Sequence, residues 1–391
     1  MTEILVPAAL LVLFLAALVL ERAALARLRE RVPLRIAVTG TRGKSTVTRL
    51  VAAALREAGM RVAAKTTGSR PMLIFPDGRE EEIRRPGLPS VLEQKKVLRW
   101  AARLGADALV TEMMSIRAET LGVESRRILR PRILGITNVR LDHLDDMGRT
   151  RPEIAATLSA AVPEDAVVFV PAGDDDPALH EAAGKRRSSV RTIPKDDDLE
   201  GFLKLEFAEN ISLALAVSGE AGIERSLALR GMAAAAPDFG GLKMWTLRSD
   251  GPAVLCLSLF AANEPESTRA ALDRALGRQA APPASLIGLL NLRADRGDRT
   301  RQWLEALDAG FFERFDRLVF IGDHARALGR MKKWTRLARP IVSALPARAP
   351  AAVMAGIRPF LSGGSVVVGI GNMGGAGESL VEHWERIGEK R

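Results

Sequence analysis

Residues 34–58 read LRIAVTGTRGKSTVTRLVAAALREA, and this stretch determines the fold class. Its beginning, Leu34–Val38, is apolar apart from Arg35 and is typical of a buried strand, whereas apolar residues recur at helical spacing from Val47 onward. The glycine-rich segment Gly40–Thr46 joins the two patterns. A strand, a glycine-rich turn and a helix in this order surround an anion with backbone N–H groups and the positive end of a helix dipole. The stretch therefore predicts a phosphate-binding loop in an α/β fold.

The turn also carries the side chains that binding of a nucleoside triphosphate requires. Lys44 can reach the β- and γ-phosphates, and the hydroxyl of Ser45 can bind Mg²⁺. The commonest phosphate loop has another glycine five positions before Gly43, where this chain has Val38, so the loop is a compact variant. We predict that ATP is bound by Gly40, Thr41, Arg42, Gly43, Lys44, Ser45 and Thr46.

An uncharged apolar run, Ile4–Leu20, precedes this stretch and has 17 residues. About 17–25 such residues are needed to span a bilayer. A cleaved signal peptide and a buried core helix are the alternatives, but a signal peptide normally has positive charge before its apolar run, where this chain has Glu3. We expect residues 1–33 to form a membrane anchor with a basic linker. The rest of the chain is expected on the cytoplasmic side, because the run is followed by Arg22, Arg27, Arg29 and Arg31.

Strand and helix patterns alternate in both halves of the chain after the phosphate loop. Such alternation predicts α/β domains with parallel sheets. The stretch Met72–Ile83 is the exception, since Asp77-Gly78 inside it favours a hairpin. Pro237–Gly241 (PDFGG) is typical of a linker. We therefore expect one domain over residues 34–238, which binds ATP, and a second over residues 239–391.

Composition limits the classes of partner and of metal site. The chain has 57 Lys and Arg against 47 Asp and Glu, a net charge of +10 that suits an anionic partner. A single cysteine, Cys256, excludes a disulfide framework and a cysteine-based zinc site. Aromatic residues make up 4% and tyrosine is absent, which disfavours a base-stacking platform. We expect no nucleic-acid partner.

Seven short segments occur in this order along the chain: Gly40–Arg49 (GTRGKSTVTR), Ala64–Gly68 (AKTTG), Glu112–Met114 (EMM), Thr137–His143 (TNVRLDH), Phe260–Thr268 (FAANEPEST), Asn291–Arg296 (NLRADR) and Gly369–Gly375 (GIGNMGG). Together they resemble the Mur-ligase superfamily, and most closely its poly-γ-glutamate synthase ligase subunits of the PgsB/CapB type. The resemblance covers about residue 34 to about residue 380, and the N-terminal anchor is part of it as well. One departure is Asn291-Leu292, where that family usually has a pair of asparagines.

The resemblance implies a fold and a set of site residues. The fold would be a Mur-ligase-like P-loop ATPase domain with a parallel sheet, and a smaller C-terminal Rossmann-like α/β domain that closes over the ATP site. Lys44, Glu112 and His143 would be catalytic. Magnesium would be held by Ser45, Glu112 and His143, and ATP would also contact Asn138, Asn210 and Arg293.

For several of these residues a purely structural role remains as an alternative. Glu112 lies two residues after the apolar run Ala108–Val110, where α/β sheets place ligands, but a solvated strand end would look the same. His143 also fits a helix cap or a loop histidine, and Arg293 fits an exposed arginine at the start of a helix. Lys65 and Thr67 fit either the path of a carboxylate or a structural loop. We interpret Gly371, Gly374 and Gly375 as tight turns rather than a second nucleotide site.

The implied activity is that of an ATP-dependent amide ligase. The γ-phosphoryl group of ATP would pass to a carboxylate, giving an acyl phosphate and ADP, and an amine would then displace phosphate. The substrates would be glutamate and a growing poly-γ-glutamate chain, as in capsule synthesis, linked from γ-carboxylate to α-amine. Integral-membrane subunits of a synthase and export complex would be partners, and the protein would be a single-pass protein of the cell membrane.

Two other functions remain as alternatives. One is another Mur-type ligase, acting on folylpolyglutamate or a cell-wall precursor, which the anchor disfavours. The other is a P-loop nucleotide switch without ligase activity, but the sequence has no Asn-Lys-x-Asp motif for guanine.

Overall fold

The computed structural model describes residues 2–390 except 69, 86, 88, 200, 201, 203–206, 240, 249–251, 263, 278, 280, 330–339 and 346–348. The chain divides into two compact units. The described residues up to Asp238 form the first unit, and the second begins at Phe239.

A single long helix, α1 (Thr2–Arg31), begins the first unit. Its most apolar window has a mean hydropathy of 2.3 and is 6% buried, so the helix has the length and composition that a membrane span requires. Its last third differs, because Leu25 and Leu28 pack against the core of the first unit. The helix therefore has an exposed apolar part and a docked part.

The first unit is built on an eight-stranded sheet with the order β4-β3-β2-β5-β1-β6-β7-β8. Six strands are parallel, but β3 and β4 form the expected antiparallel hairpin at one edge, so the predicted parallel sheet is mixed. The strands are β1 (Leu34–Thr39), β2 (Val62–Thr66), β3 (Met72–Ile74), β4 (Glu80–Glu82), β5 (Ala108–Glu112), β6 (Ile133–Ile136), β7 (Val167–Pro171) and β8 (Ser189–Ile193).

Helices cover both faces of this sheet and bury one apolar core on each. One core is closed by α2, α8 and α9, and the other by α3, α6 and α7. A π-helical segment, Val123–Leu129, directly follows α4. The helices are α2 (Lys44–Glu57), α3 (Glu93–Arg103), α4 (Ala118–Gly122), α5 (Leu144–Met147), α6 (Arg151–Ser159), α7 (Pro177–Gly184), α8 (Ala208–Glu220) and α9 (Arg225–Ala233).

The central strand β1 lies between β5 and β6, and its register sets the position of the phosphate loop. Val38 pairs with Glu112 on β5, and Thr39 pairs with Ile136 on β6. Because all three strands are parallel, their carboxyl ends meet at one edge of the sheet. The chain after β1, the end of β5 and the chain after β6 therefore come together, at the place where α/β sheets bind ligands.

The second unit has a seven-stranded sheet with the order β13-β12-β11-β14-β10-β9-β15. At the end of this order, β9 pairs antiparallel with both β10 and β15, so this sheet is mixed as well. Neither strand was predicted from the sequence, because β15 is a short polar segment and β9 is fully buried without alternation. The strands are β9 (Lys243–Leu247), β10 (Val254–Ser258), β11 (Ser285–Leu292), β12 (Arg317–Gly322), β13 (Ile341–Ala344), β14 (Ser365–Gly371) and β15 (Gly388–Lys390).

Five helices in the described part of the second unit complete the α/β architecture. Trp384 on the last helix packs against Trp245 and Phe260 in the core. The helices are α10 (Pro265–Gly277), α11 (Gly297–Asp308), α12 (Ala325–Gly329), α13 (Pro350–Ile357) and α14 (Ala376–Ile387).

Candidate nucleotide and metal site

The turn after β1 has a backbone that needs glycine at two positions. Gly40 has φ 122° and Gly43 has φ 78°, conformations that residues with a Cβ rarely adopt. A Cβ on Gly40 would lie 2.3 Å from Thr137 Oγ1, and one on Gly43 would lie 2.7 Å from Asn210 Oδ1. The loop is therefore held tightly between the chain after β6 and the start of α8.

The side chain of Asn138 fixes the phosphate loop by hydrogen bonds to Thr41 and Arg42. Its side-chain oxygen accepts hydrogen bonds from Thr41 Oγ1 at 2.5 Å and from the Arg42 N–H at 2.9 Å. Its amide nitrogen donates to the Arg42 carbonyl at 3.1 Å. Asn138 is 7% exposed, so these bonds are made out of water. The predicted ATP contact is thus seen here as a residue that shapes the loop.

Lys44 begins α2 and places its ammonium inside the loop. Lys44 Nζ donates to the carbonyl oxygens of Gly40 at 2.7 Å and Thr41 at 3.2 Å. In any α-helix the first N–H groups have no intrahelical carbonyl, and these groups at the start of α2 follow the same loop. A cation and helix N–H groups converge here, which is the arrangement that favours phosphate.

Glu112 lies at the end of β5 and is 2% exposed. Its Oε2 accepts hydrogen bonds from Ser45 Oγ at 2.7 Å and from the Thr67 N–H at 2.6 Å. A carboxylate and a hydroxyl are the oxygen ligands that Mg²⁺ and similar hard cations prefer. Ser45 and Glu112 therefore fit a divalent cation next to the phosphate loop.

His143 belongs to the loop before α5 and has φ 48°. It occupies the N-cap position of α5, but its side chain does not cap the helix. Its Nε2 lies 3.7 Å from Asp142 Oδ2, and the same carboxylate is 3.1 Å from Arg42 Nη2. Among the predicted metal ligands, Ser45 and Glu112 are in direct contact, whereas His143 is joined to the phosphate loop through Asp142 and Arg42.

The remaining predicted ATP contacts lie in different units. Asn210 is in the first turn of α8, 8% exposed, with its amide against Gly43. Arg293 follows β11 in the second unit, where its guanidinium binds both oxygens of Asp295 at 2.9 and 2.7 Å. Asn263 was not predicted as an ATP contact; it belongs to the segment Phe260–Thr268 that carries the family resemblance, and it lies outside the described residues.

Sequence reasoning missed two buried polar residues behind β5, Gln94 and Glu124, which are both 0% exposed. Neither belongs to a motif, and a polar residue in the first turn of a helix usually faces solvent. One signal in the sequence could have indicated a buried polar cluster here, namely Lys65. A lysine inside an apolar strand is almost never fully buried unless it is paired, so it indicates acidic partners nearby. The structure buries Lys65 fully and pairs its Nζ with Glu93 Oε1 at 3.1 Å.

Comparison with known protein families matches nearly all of the two α/β units. The Mur ligase middle domain matches residues 38–232, and the poly-gamma-glutamate synthase CapB C-terminal domain matches residues 245–387. The chain is 30% identical to the capsule biosynthesis protein CapB of Bacillus anthracis, over 92% of this chain and 78% of that protein. It is 31% identical to the PGA synthase CapB of Bacillus subtilis (strain 168), over 90% of each chain.

Solved structures share the fold of this chain. The bifunctional folylpolyglutamate synthase/dihydrofolate synthase of Yersinia pestis, complexed with AMPPNP and Mn ion, has a TM-score of 0.67 at 16% identity and covers 93% of this chain and 90% of its own. MurF of Acinetobacter baumannii has a TM-score of 0.63 at 19% identity, over 92% of this chain and 79% of its own. The predicted Mur-ligase-like α/β fold is confirmed, and the two relatives at 30–31% identity show that the chain belongs to the poly-γ-glutamate synthase CapB family.

Proposed function

We propose that this protein is an ATP-dependent ligase that polymerises glutamate through γ-carboxylate to α-amine bonds and releases ADP and phosphate. The observation that carries the proposal is the contact of Ser45, on the phosphate loop, with the buried carboxylate of Glu112 at 2.7 Å. In a chain of the CapB family, this contact joins a phosphate site to a cation site. Glutamate and the growing poly-γ-glutamate chain are the substrates.

The first step needs charge and position more than covalent help from the protein. Transfer of a phosphoryl group to a carboxylate brings two anions together, so the repulsion between them must be offset. Lys44 supplies a positive charge within the loop, and the N–H groups at the start of α2 bind phosphate oxygens. Asn138 keeps the loop in one shape, so the phosphates meet preformed donors.

Ser45 and Glu112 would hold a magnesium ion, with His143 assigned to the same function by its resemblance. Bound there, the ion would neutralise phosphate oxygens and orient the transferred group. Asp142 lies beside His143 and Arg42, and it would keep the imidazole facing the loop. Because Glu112 also accepts the Thr67 N–H, its carboxylate has one fixed orientation toward Ser45.

In the second step an amine attacks the acyl phosphate and phosphate leaves. As the C–N bond forms and the C–O bond to phosphate breaks, the amine loses a proton that the released phosphate accepts, and the charge of that phosphate must stay neutralised until the amide has formed. Lys44 would serve both steps, since its ammonium lies inside the loop where we propose that the phosphates bind. Asn210 and Arg293 are proposed to bind ATP as well.

The exposed apolar part of α1 is proposed to anchor the protein in the cell membrane as a single span, with both units in the cytoplasm. Integral-membrane subunits that export the polymer are the proposed partners. The arginines that follow the apolar run support this orientation.

The test incubates membranes that contain the full chain with ATP, Mg²⁺ and labelled glutamate. We expect glutamate-dependent release of ADP and the appearance of a labelled polymer that ordinary proteases do not cleave. A parallel panel adds folate or a UDP-linked cell-wall acceptor to the same mixture of ATP, Mg²⁺ and glutamate. AMP as the product, or turnover that requires one of those acceptors, would contradict the proposal.

A further inference from the structure

A cluster of buried polar side chains lies behind β5, on the face of the sheet that α3 covers. It is separate from the contacts of the Glu112 carboxylate, because Ser45 approaches Glu112 from α2 on the opposite face. The cluster consists of Lys65, Glu93, Gln94, Thr111 and Glu124. Buried polar groups are costly unless they are paired, so a cluster of this size calls for an explanation.

Glu124 binds the turn that directly follows Glu112. Its Oε1 accepts the Met114 N–H at 3.0 Å, and its Oε2 accepts the Ser115 N–H at 3.0 Å. One carboxylate thus holds two successive backbone N–H groups. Hydrogen bonds to an ionised acceptor are stronger than neutral ones, so this turn is held firmly.

Gln94 connects Glu124 to Glu112 itself. Its Nε2 donates to Glu124 Oε1 at 2.6 Å and to the backbone carbonyl of Glu112 at 3.1 Å. Its Oε1 accepts the Thr111 hydroxyl at 3.1 Å, which fixes the orientation of the amide. The peptide groups that follow Glu112 are therefore held by one side-chain network.

Lys65 offsets the negative charge of this network. Burial lowers the pKa of Lys65, and the carboxylates of Glu93 and Glu124 oppose that change. Burial alone would raise the pKa of Glu93, but the hydrogen bond from Arg85 and the charge of Lys65 lower it below its ordinary value. The cluster thus combines carboxylates with a buried ammonium, an arrangement that tolerates burial better than a lone charge.

The backbone that presents Glu124 is unusual. Glu124 lies in the π-helical segment Val123–Leu129, which closes with a hydrogen bond from the Arg130 N–H to the Ser125 carbonyl at 2.7 Å. Single π-helical turns are rare and occur frequently at functional sites. Here the wide turn carries the carboxylate that binds the chain after Glu112.

We propose that Glu124, together with Gln94, is a positioning residue that fixes the backbone of Glu112 so that its carboxylate faces Ser45 and the bound divalent cation. The proposal rests on the proposed function, in which Glu112 holds that cation. Groups that orient a metal ligand typically change metal affinity or activity by about 10–100-fold when they are mutated.

The experiment measures cation affinity directly. Mn²⁺ is titrated into the full-length chain in detergent with AMPPNP present, and free Mn²⁺ is followed by electron paramagnetic resonance. We expect Glu124→Gln to weaken Mn²⁺ binding by about 10-fold, because the amide keeps the size of the side chain but turns a donor toward a backbone N–H. Glu119→Gln is the matched control, since Glu119 is an exposed carboxylate on α4, and it should bind Mn²⁺ like the unmodified chain.

A second variant separates positioning from folding. Gln94→Met removes all three hydrogen bonds of the amide while it keeps an unbranched side chain of similar length. Its loss of Mn²⁺ affinity should be of the same order, and the double variant should lose less than the product of the two effects, because both act through one network. Melting curves are recorded first, and the Mn²⁺ titration is carried out at a temperature below the melting transition of every variant. If both variants melt earlier but bind Mn²⁺ normally, the cluster is structural and the proposal is wrong.

Glu112→Gln distinguishes this proposal from the proposed function. If Glu112→Gln loses Mn²⁺ affinity while Glu124→Gln does not, the positioning role alone fails. If Glu112→Gln binds Mn²⁺ normally, there is no cation for Glu124 to serve, and the positioning role fails with the assignment of the metal ligand. Ligase activity is measured separately in membranes that contain the unmodified chain, and its absence overturns the proposed function.

Discussion

Two glycine-rich turns in this molecule follow a buried central strand and lead into a helix. One is Gly40–Lys44 between β1 and α2, and the other is Gly371–Gly375 between β14 and α14. Both depend on left-handed glycines: φ is 122° at Gly40, 89° at Gly371 and 74° at Gly375. Each turn thus contains two glycines of positive φ, although ψ is 0° at Gly43 and −120° at Gly375.

Their surroundings differ. The first turn contains a lysine ammonium and faces the Ser45–Glu112 pair. In the second, Asn291 Nδ2 donates to the carbonyls of Asn372 at 2.6 Å and Gly374 at 3.0 Å, and a Cβ on Gly374 would lie 2.2 Å from Arg293 Nη1. Glycine there makes room for packed side chains. Glycines therefore decide the shape of such a turn, whereas the neighbouring side chains decide its chemistry.

The strongest effect is expected from the lysine ammonium that distinguishes the first turn from the second. Lys44→Ala should lower glutamate-dependent ADP release by about 10²–10³-fold, the usual cost of removing one preorganised charge donor. Circular dichroism should show an unchanged fold. Lys96→Ala, at an exposed position on α3, is the control and should keep its activity. Normal turnover by the Lys44 variant would show that the lysine is not what makes the two turns chemically different.

The next effect in size tests the shape of the first turn. Gly40→Ala combines a strained φ with a Cβ only 2.3 Å from Thr137 Oγ1 and 2.8 Å from the Thr137 nitrogen. Backbone strain and overpacking together should lower the free energy of unfolding by roughly 2–4 kcal/mol. Urea unfolding of the purified chain measures it. A loss in the free energy of unfolding smaller than backbone strain alone would cause means that the chain after β6 moves away easily from the new Cβ. The loop would then be less rigid than its hydrogen bonds to Asn138 imply.

Much of this could be predicted from the sequence, and the reason is local. The phosphate loop, the strand before it and the helix after it lie within 25 consecutive residues, where spacing alone identifies them. Glu112 was predictable because it ends an apolar strand. Gln94 and Glu124 were not, since they are 30 residues apart and meet only when α3 and the π-helical segment pack behind β5. Likewise β15 is paired by the sheet rather than by its own residues, which are polar and only three.

A third, smaller effect compares the asparagines that hold the two turns. Asn138→Ala and Asn291→Ala each remove buried hydrogen bonds to backbone, and each should cost about 1–3 kcal/mol in the free energy of unfolding. They should differ in nucleotide binding, because Asn138 shapes the loop that holds Lys44. Fluorescent ATP-analogue titration should show weaker binding for Asn138→Ala and unchanged binding for Asn291→Ala. Equal losses would mean that the second turn also serves the nucleotide.

The weakest effect separates strain from crowding within the second turn. Gly375 has φ 74°, but apart from its two chain neighbours no atom of the described residues lies within 4 Å of the position that a Cβ would take, so Gly375→Ala should show strain alone. Because ψ is −120° there, the residue is outside the left-handed helical region, and the strain should be about 1–3 kcal/mol, less than the combined loss expected at Gly40. Gly219→Ala is the reference, since Gly219 lies near the end of α8 with open space and an ordinary φ, and alanine there should stabilise by about 0.5–1 kcal/mol. Opposite signs for the two variants in thermal unfolding would show that φ alone makes the difference; a Gly375→Ala loss as large as that of Gly40→Ala would mean that both turns are equally crowded.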